Sequence, residues 1–193
     1  VGAVINTASA REEDSIAIVG LGGVGLSALL ASIAIGSKKT IAIDLSNEKL
    51  NLAHELGADH ILNPNDANFL ERVRDLTSGG ANIAIETAGS GRALKTAYDI
   101  TRRGGTTVAA GMPGPKVDIT LSHLSIAAEE RIIKGSYMGS CIAHRDIPKY
   151  LDMFQTGKLP VDRLLSRKIT FEDLNAAMDR LDDAKTVREV LIP

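Results

Sequence analysis

Four apolar residues, Ile16-Ala-Ile-Val19, run directly into Gly20-Leu-Gly-Gly-Val-Gly25 and then into a helical apolar run, Leu26 to Ile35. A short, β-branched apolar run of this kind predicts a strand buried on both faces of a parallel sheet. Each glycine of the Gly-x-Gly-x-x-Gly turn has a physical task. Gly20 permits the tight turn off the strand, Gly22 lets backbone approach a pyrophosphate, and Gly25 lets the following helix pack on the sheet. Gly23 and Val24 complete the turn. That helix directs its unpaired N–H groups and positive dipole end at the phosphates.

The context supports the pattern. A second apolar strand, Thr40-Ile-Ala-Ile43, ends in Asp44, 19 residues beyond Gly25. A carboxylate at that distance suits hydrogen bonds to the adenosine ribose hydroxyls and repels a 2′-phosphate, so the spacing points to NAD rather than NADP. The competing reading of Asp44 is a helix N-cap or a solvated strand end.

Strand and helix patterns alternate through the first two-thirds of the chain. Ser46 is expected to cap a helix that ends near Gly57, and His60-Ile-Leu62 forms a third strand. Asp66 is expected to cap a helix carrying Phe69, Val73 and Leu76. Ile83-Ala-Ile-Glu86 and Thr106 to Ala110 are strands on either side of a helix over Leu94 to Ile100. This rhythm predicts an α/β, Rossmann-type doubly wound fold with a mostly parallel six-stranded sheet in the order 3-2-1-4-5-6.

Beyond Gly111-Met-Pro-Gly-Pro115 the rhythm changes. Val117 to Thr120 and Ile132 to Tyr137 read as strands around a short helix over Ser122 to Ala128. Arg145 to Thr156 and Phe171 to Leu181 read as helices, the second capped by Thr170, and Val187 to Ile192 as a final strand. The softest boundary divides residues 1–138 from a C-terminal α/β appendage over residues 139–193.

Composition excludes several functions. A net charge of −2 with interspersed signs provides no basic stripe for nucleic acid, and 3% aromatic content provides no base-stacking platform. No apolar run approaches a bilayer span, so no membrane partner is expected. Cys141 is the only cysteine, which suits a reducing, cytoplasmic setting and permits no intrachain disulfide or multi-cysteine zinc site. His54, His60, His123 and His144 have no helical i,i+3 or i,i+4 pairing with one another, so no metal site is expected among them. Arg145-Asp146 reads as an ion pair at a helix start.

Taken together, Gly2-Ala-Val-Ile-Asn-Thr-Ala8, Val19-Gly-Leu-Gly-Gly-Val-Gly-Leu26, Ile43-Asp-Leu45 with Lys49, Glu55-Leu-Gly-Ala-Asp59, Glu86-Thr-Ala-Gly89, Gly111-Met-Pro113 and Val187-Arg-Glu189 form an ordered set. The chain thereby resembles the coenzyme-binding half of a medium-chain, zinc-dependent alcohol dehydrogenase. The resemblance implies NAD(H) as cofactor and an alcohol/aldehyde pair as substrate of the full-length enzyme. It places Val24 behind the nicotinamide ring, Asp44 and Lys49 at the adenosine ribose, and Thr87 and Ala88 beside the nicotinamide ribose. Ala110, Gly111 and Met112 would hold the carboxamide, with Ser136 and Tyr137 nearby, and Arg188 would return to the pyrophosphate.

The resemblance also implies what lies elsewhere. Zinc is expected only in a missing N-terminal domain, the apolar start at Val1 to Thr7 reads as the end of an upstream element, and the chain alone is expected to be inactive. Residues 139–193 would pack toward that missing domain, leaving Leu151, Phe154 or Leu164 exposed. A homodimer would form through the edge strand at Ile132 to Tyr137. Two other readings remain: the coenzyme half of a zinc-free quinone or enoyl reductase using NADPH, and a stand-alone NAD-sensing module.

Overall fold

A computed structural model describes residues 1–182 and 186–192 of the 193-residue chain. After a π-helical turn over Ala3–Thr7, the chain alternates strand and helix. The elements are β1 (Ser15–Val19), α1 (Gly23–Ala34), β2 (Lys39–Ile43), α2 (Asn47–Glu55), β3 (His60–Leu62), α3 (Phe69–Thr77), β4 (Ala81–Glu86), α4 (Gly91–Ile100) and β5 (Thr101–Ala109). They continue as α5 (His123–Ala128), β6 (Ile132–Gly135), α6 (Ala143–Gln155), β7 (Arg167–Ile169), α7 (Leu174–Asp182) and β8 (Glu189–Leu191).

Six strands form one parallel sheet in the order β3-β2-β1-β4-β5-β6. The order reverses between β1 and β4, which leaves a crevice at their carboxyl ends. Every residue of β1 is buried, because parallel strands carry helices on both faces. The period-two alternation divides its side chains. Ile16 and Ile18 join Leu26, Leu29 and Leu30 of α1 and Leu50 of α2 in one core layer. Ala17 and Val19 join Phe69 and Val73 of α3 and Ala97 and Ile100 of α4 in the other.

Ser46 caps α2 by accepting from the Lys49 N–H, and Ser122 caps α5 likewise. Four expectations need correction. Asp66 does not cap α3; Asn68 stands at that position without a side-chain cap bond. Val117 to Thr120 is irregular, not a strand. The β5 edge is taken by β6, and Val117 and Ile119 lie over the first turn of α4 instead, 3.3 Å from where a Gly91 Cβ would sit. The last helix starts at Leu174, so Thr170 lies before it and its carbonyl accepts from the Asp173 N–H. Leu164 is 3% exposed and packed into the α1 layer, whereas Leu151 and Phe154 are exposed as expected. A short parallel pair, β7 with β8, went unread in the sequence at β7.

Among the described residues no helix is long and apolar enough to cross a membrane.

Candidate functional site

The glycine turn sits where the sheet order reverses, and backbone hydrogen bonds fix it from both neighbouring strands. The Gly20 N–H donates to the Ile43 carbonyl at 2.8 Å, and the Thr87 N–H donates to the Val19 carbonyl at 2.9 Å. The Thr87 hydroxyl donates to the Gly20 carbonyl at 2.7 Å. Gly20 has φ +96°, a left-handed conformation, and a Cβ there would lie 2.8 Å from the Ala88 nitrogen. A Cβ at Gly25 would lie 1.8 Å from the Gly20 carbonyl oxygen, so α1 starts in contact with the strand end.

Gly22 is different. Its φ of −77° suits any residue, and a Cβ there would meet no protein atom within 4 Å. Nothing in the protein's own packing demands glycine at this position. A side chain would instead fill open space directly at the start of α1, where no side chain caps the helix. Such a cradle, beside free helix N–H groups, suits an anionic group approaching the backbone.

Two cavities flank this turn. The first, of about 250 Å³, is lined by Gly20, Asp44, Leu45, Lys49, Ala88 and Arg92, among others. Asp44 is half-buried there. One carboxylate oxygen accepts the Leu21 N–H at 2.7 Å and the other accepts the Ser46 N–H at 2.9 Å. The carboxylate thus ties the end of β2 to the glycine turn, and each oxygen keeps a lone pair for a further donor. Ser46, not Asp44, caps α2. Arg92 donates from Nη2 to the Asn65 side-chain oxygen at 2.8 Å, which holds its guanidinium over this cavity's rim.

The second cavity, of about 360 Å³, is lined by Gly23, Val24, Ala110, Met112, Tyr137 and Arg188, among others. Val24 is 54% exposed, so it is not a core residue. A Cβ at Gly23 would lie 3.0 Å from Arg188 Nη2. Arg188 is held at this spot by β7 and β8: the Ser166 N–H donates to its carbonyl at 2.7 Å, and its own N–H donates to the Ser166 hydroxyl at 3.3 Å. Arg188 makes no ion pair among the described residues.

Behind the second cavity lies a polar knot. The Asp146 carboxylate, 2% exposed, accepts from Arg145 Nε and Nη2, the Ile142 N–H and the Asn6 amide. The Arg145 hydrogen bonds hold the Asp146 carboxyl well below the usual carboxylate range. The Asn6 amide also donates to the Gly139 carbonyl, tying residues 1–8 to the cavity wall at 136–139. The helix-start reading of Arg145-Asp146 thus extends to a structural tie.

Most of the residues singled out in the sequence therefore gather around one turn. Ala88 lies with Asp44 and Lys49, not with Val24, and Thr87 spends its hydroxyl on the Gly20 carbonyl. Gly111 faces Gly89 rather than either cavity: a Cβ on Gly111 would lie 2.2 Å from the Gly89 nitrogen. Sequence reasoning missed Arg92, whose position on the first turn after the switch strand was the available signal. It also missed Ser166, for which a three-residue strand leaves none. Among the described residues, no three His, Cys, Asp or Glu side chains gather into a metal-binding group.

A family model described as zinc-binding dehydrogenase matches residues 23–156. The chain is 32% identical to geraniol dehydrogenase of Castellaniella defragrans over 99% of its length and 51% of that protein. It is 32% identical, over 99% of its length and 51% of the relative's, to alcohol dehydrogenase class-2 isozyme 2 of Oryctolagus cuniculus. The crystal structure of benzyl alcohol dehydrogenase from Acinetobacter calcoaceticus superimposes with a TM-score of 0.94 at 30% identity, covering 98% of this chain and 52% of that one. The chain spans about half the length of the curated relatives it matches.

Proposed function

Because this chain belongs to the zinc-binding dehydrogenase family and corresponds to its coenzyme-binding half, we propose that it binds NAD(H) and orients the nicotinamide toward an alcohol or aldehyde. The observation that carries this reading is the pair of cavities on either side of one glycine turn, with Asp44 in the first and Val24 and Arg188 in the second. Bound there, a nicotinamide cofactor supplies a hydride acceptor or donor. The chain's own residues do the holding. Asp44 accepts the ribose hydroxyls and repels a 2′-phosphate. The open cradle at Gly22, the start of α1 and Arg188 balance the pyrophosphate charge. Val24, Ala110 and Met112 wall the far cavity and limit the ring's freedom, which converts a chance encounter into a positioned one. The chain's part in the chemistry, on this reading, is orientation.

The full-length enzyme's activity follows as oxidation of an alcohol or reduction of its aldehyde, the class to which the relatives' names belong. The 193-residue chain alone is expected to bind cofactor without turnover; zinc-dependent alcohol oxidation by it would overturn that. We assign residues 1–138 to the cofactor domain and residues 139–193 to a segment packing toward the remainder of the enzyme. We assign the protein to the cytoplasm, which its single cysteine suits. We also assign a homodimer through β6, an edge strand whose Ile132 and Ile133 are 46% and 41% exposed. Ile133→Lys should give a monomer by sedimentation, and an unchanged sedimentation coefficient would count against this interface.

Fluorescence titration with NADH and NADPH tests the cofactor. NADH should bind at least about tenfold tighter, the discrimination of one well-placed charge interaction. A preference for NADPH would overturn the role of Asp44.

A further inference from the structure

Glu86, the last residue of β4, is 2% exposed and makes no ion pair among the described residues. A buried carboxyl group needs hydrogen-bond partners to offset its lost hydration. Here Glu86 Oε1 accepts the Gly89 N–H at 2.5 Å. Separately from the side chain, the Glu86 main-chain carbonyl accepts from Ala110 at 2.8 Å and Gly111 at 3.0 Å, which anchors the second loop to the end of β4. Three N–H groups from two separate loops therefore converge on one residue.

Those loops touch. A Cβ on Gly111 would lie 2.8 Å from Glu86 Oε1, besides its clash with Gly89. Gly89, at φ +69°, would place a Cβ 2.8 Å from the Met112 carbonyl oxygen. The first loop carries Ala88 and Ser90 into the cavity of Asp44, and the second carries Ala110 and Met112 into the cavity of Val24.

We propose that the Glu86 side chain is a positioning group that sets the spacing between the two cavities, its Oε1 holding the Gly89 N–H on one side while lying against Gly111 on the other. This rests on the dinucleotide reading above. A ligand spanning both cavities gains from their correct separation, because its second half binds as an intramolecular event. A ligand filling only the first cavity gains nothing from it.

The test compares NADH with 5′-AMP on the 193-residue chain. Glu86→Ala should weaken NADH roughly tenfold while leaving 5′-AMP within about twofold, and Glu86→Gln, which keeps an oxygen for the Gly89 N–H, should bind NADH within about threefold of the parent. If Glu86→Ala does not fold, Glu86→Asp, one methylene short of Gly89, carries the same comparison. Equal weakening of both ligands, or of neither, overturns the positioning role and leaves the dinucleotide reading intact. Failure of the unaltered chain to bind NADH overturns the dinucleotide reading itself, and the positioning role with it.

Discussion

The walls around Asp44 come from strand ends, the loops that directly follow them and the first turns of α2 and α4, whereas those around Val24 come from segments spread from Val1 to Arg188. The first cavity is tied by short polar bonds just past the strand ends: Leu21 and Ser46 to Asp44, and Thr87 to Gly20. The second exposes Val24, Met112, Tyr137 and Met138, each more than half exposed. It depends on Arg188, delivered by a small second sheet far along the chain. One half of the cleft is thus shaped by the parallel sheet itself, and the other by long-range contacts around a largely apolar opening. Among the described residues, the turn at residues 20–25 is the only stretch that contributes to both.

Breaking that shared stretch should have the largest effect. Gly25→Ala puts a Cβ 1.8 Å from the Gly20 carbonyl oxygen, and backbone cannot yield as a flexible side chain does. Overpacking of this kind costs about 3 kcal/mol or more, so NADH affinity should fall by about a hundredfold with a clear loss of thermal stability. Wild-type affinity in this variant would mean that α1 can shift without cost, and that the turn is not the rigid centre of the site.

Asp44→Ala comes next and probes the first cavity alone. Hydrogen bonds to charged groups contribute about 1.5–3 kcal/mol, so NADH and 5′-AMP should both weaken by about ten- to a hundredfold. NADPH should lose less, because the repulsion of its 2′-phosphate is relieved. Calorimetric titration of all three ligands decides it; loss of NADH binding with 5′-AMP unchanged would move Asp44's role to the other half.

Arg188→Ala probes the second region, with a smaller cost. The side chain is exposed, so NADH should weaken only about fivefold, and the difference should shrink as ionic strength rises. A salt-independent loss would show that Arg188 acts through packing on Gly23 rather than through charge.

The same contrast explains what could be read from the sequence. Strand β1, the Gly20–Gly25 turn and Asp44 are legible because their signals are local: apolar periodicity, glycine spacing and a carboxylate at a strand end. Lys49 and Ala88 follow, since each lies within a few residues of such an end. The second region is harder. Arg188 could be placed only through the ordered resemblance of the whole chain, and Ser166, which fixes it, sits before a strand of three residues. Val117 to Thr120 has a β-like composition, yet the neighbouring strand edge is occupied by β6, which no local pattern reports. Leu164 reads as exposed if the C-terminal segment is assumed to face outward. Its burial against the α1 layer is a tertiary fact.

The smallest expected effect lies furthest from the shared turn, at Asp146. Its carboxylate joins Arg145, Ile142 and Asn6, and the Asn6 amide also holds Gly139 in the wall of the second cavity. Asp146→Asn should therefore lower the melting temperature and loosen this wall, while 5′-AMP binding in the first cavity stays unchanged. The pH dependence has a definite sign. The folded-state pKa of Asp146 is depressed, so its contribution is fully present above the ordinary carboxylate range and is lost as pH falls through the lower, folded value. The melting-temperature gap between wild type and Asp146→Asn should stay constant from about pH 8 to 5 and narrow only below about pH 4, where an unfolded aspartate begins to take up a proton. A gap that narrows already near neutral pH would mean that some other group, not this carboxylate, ties the second cavity's wall to residues 1–8.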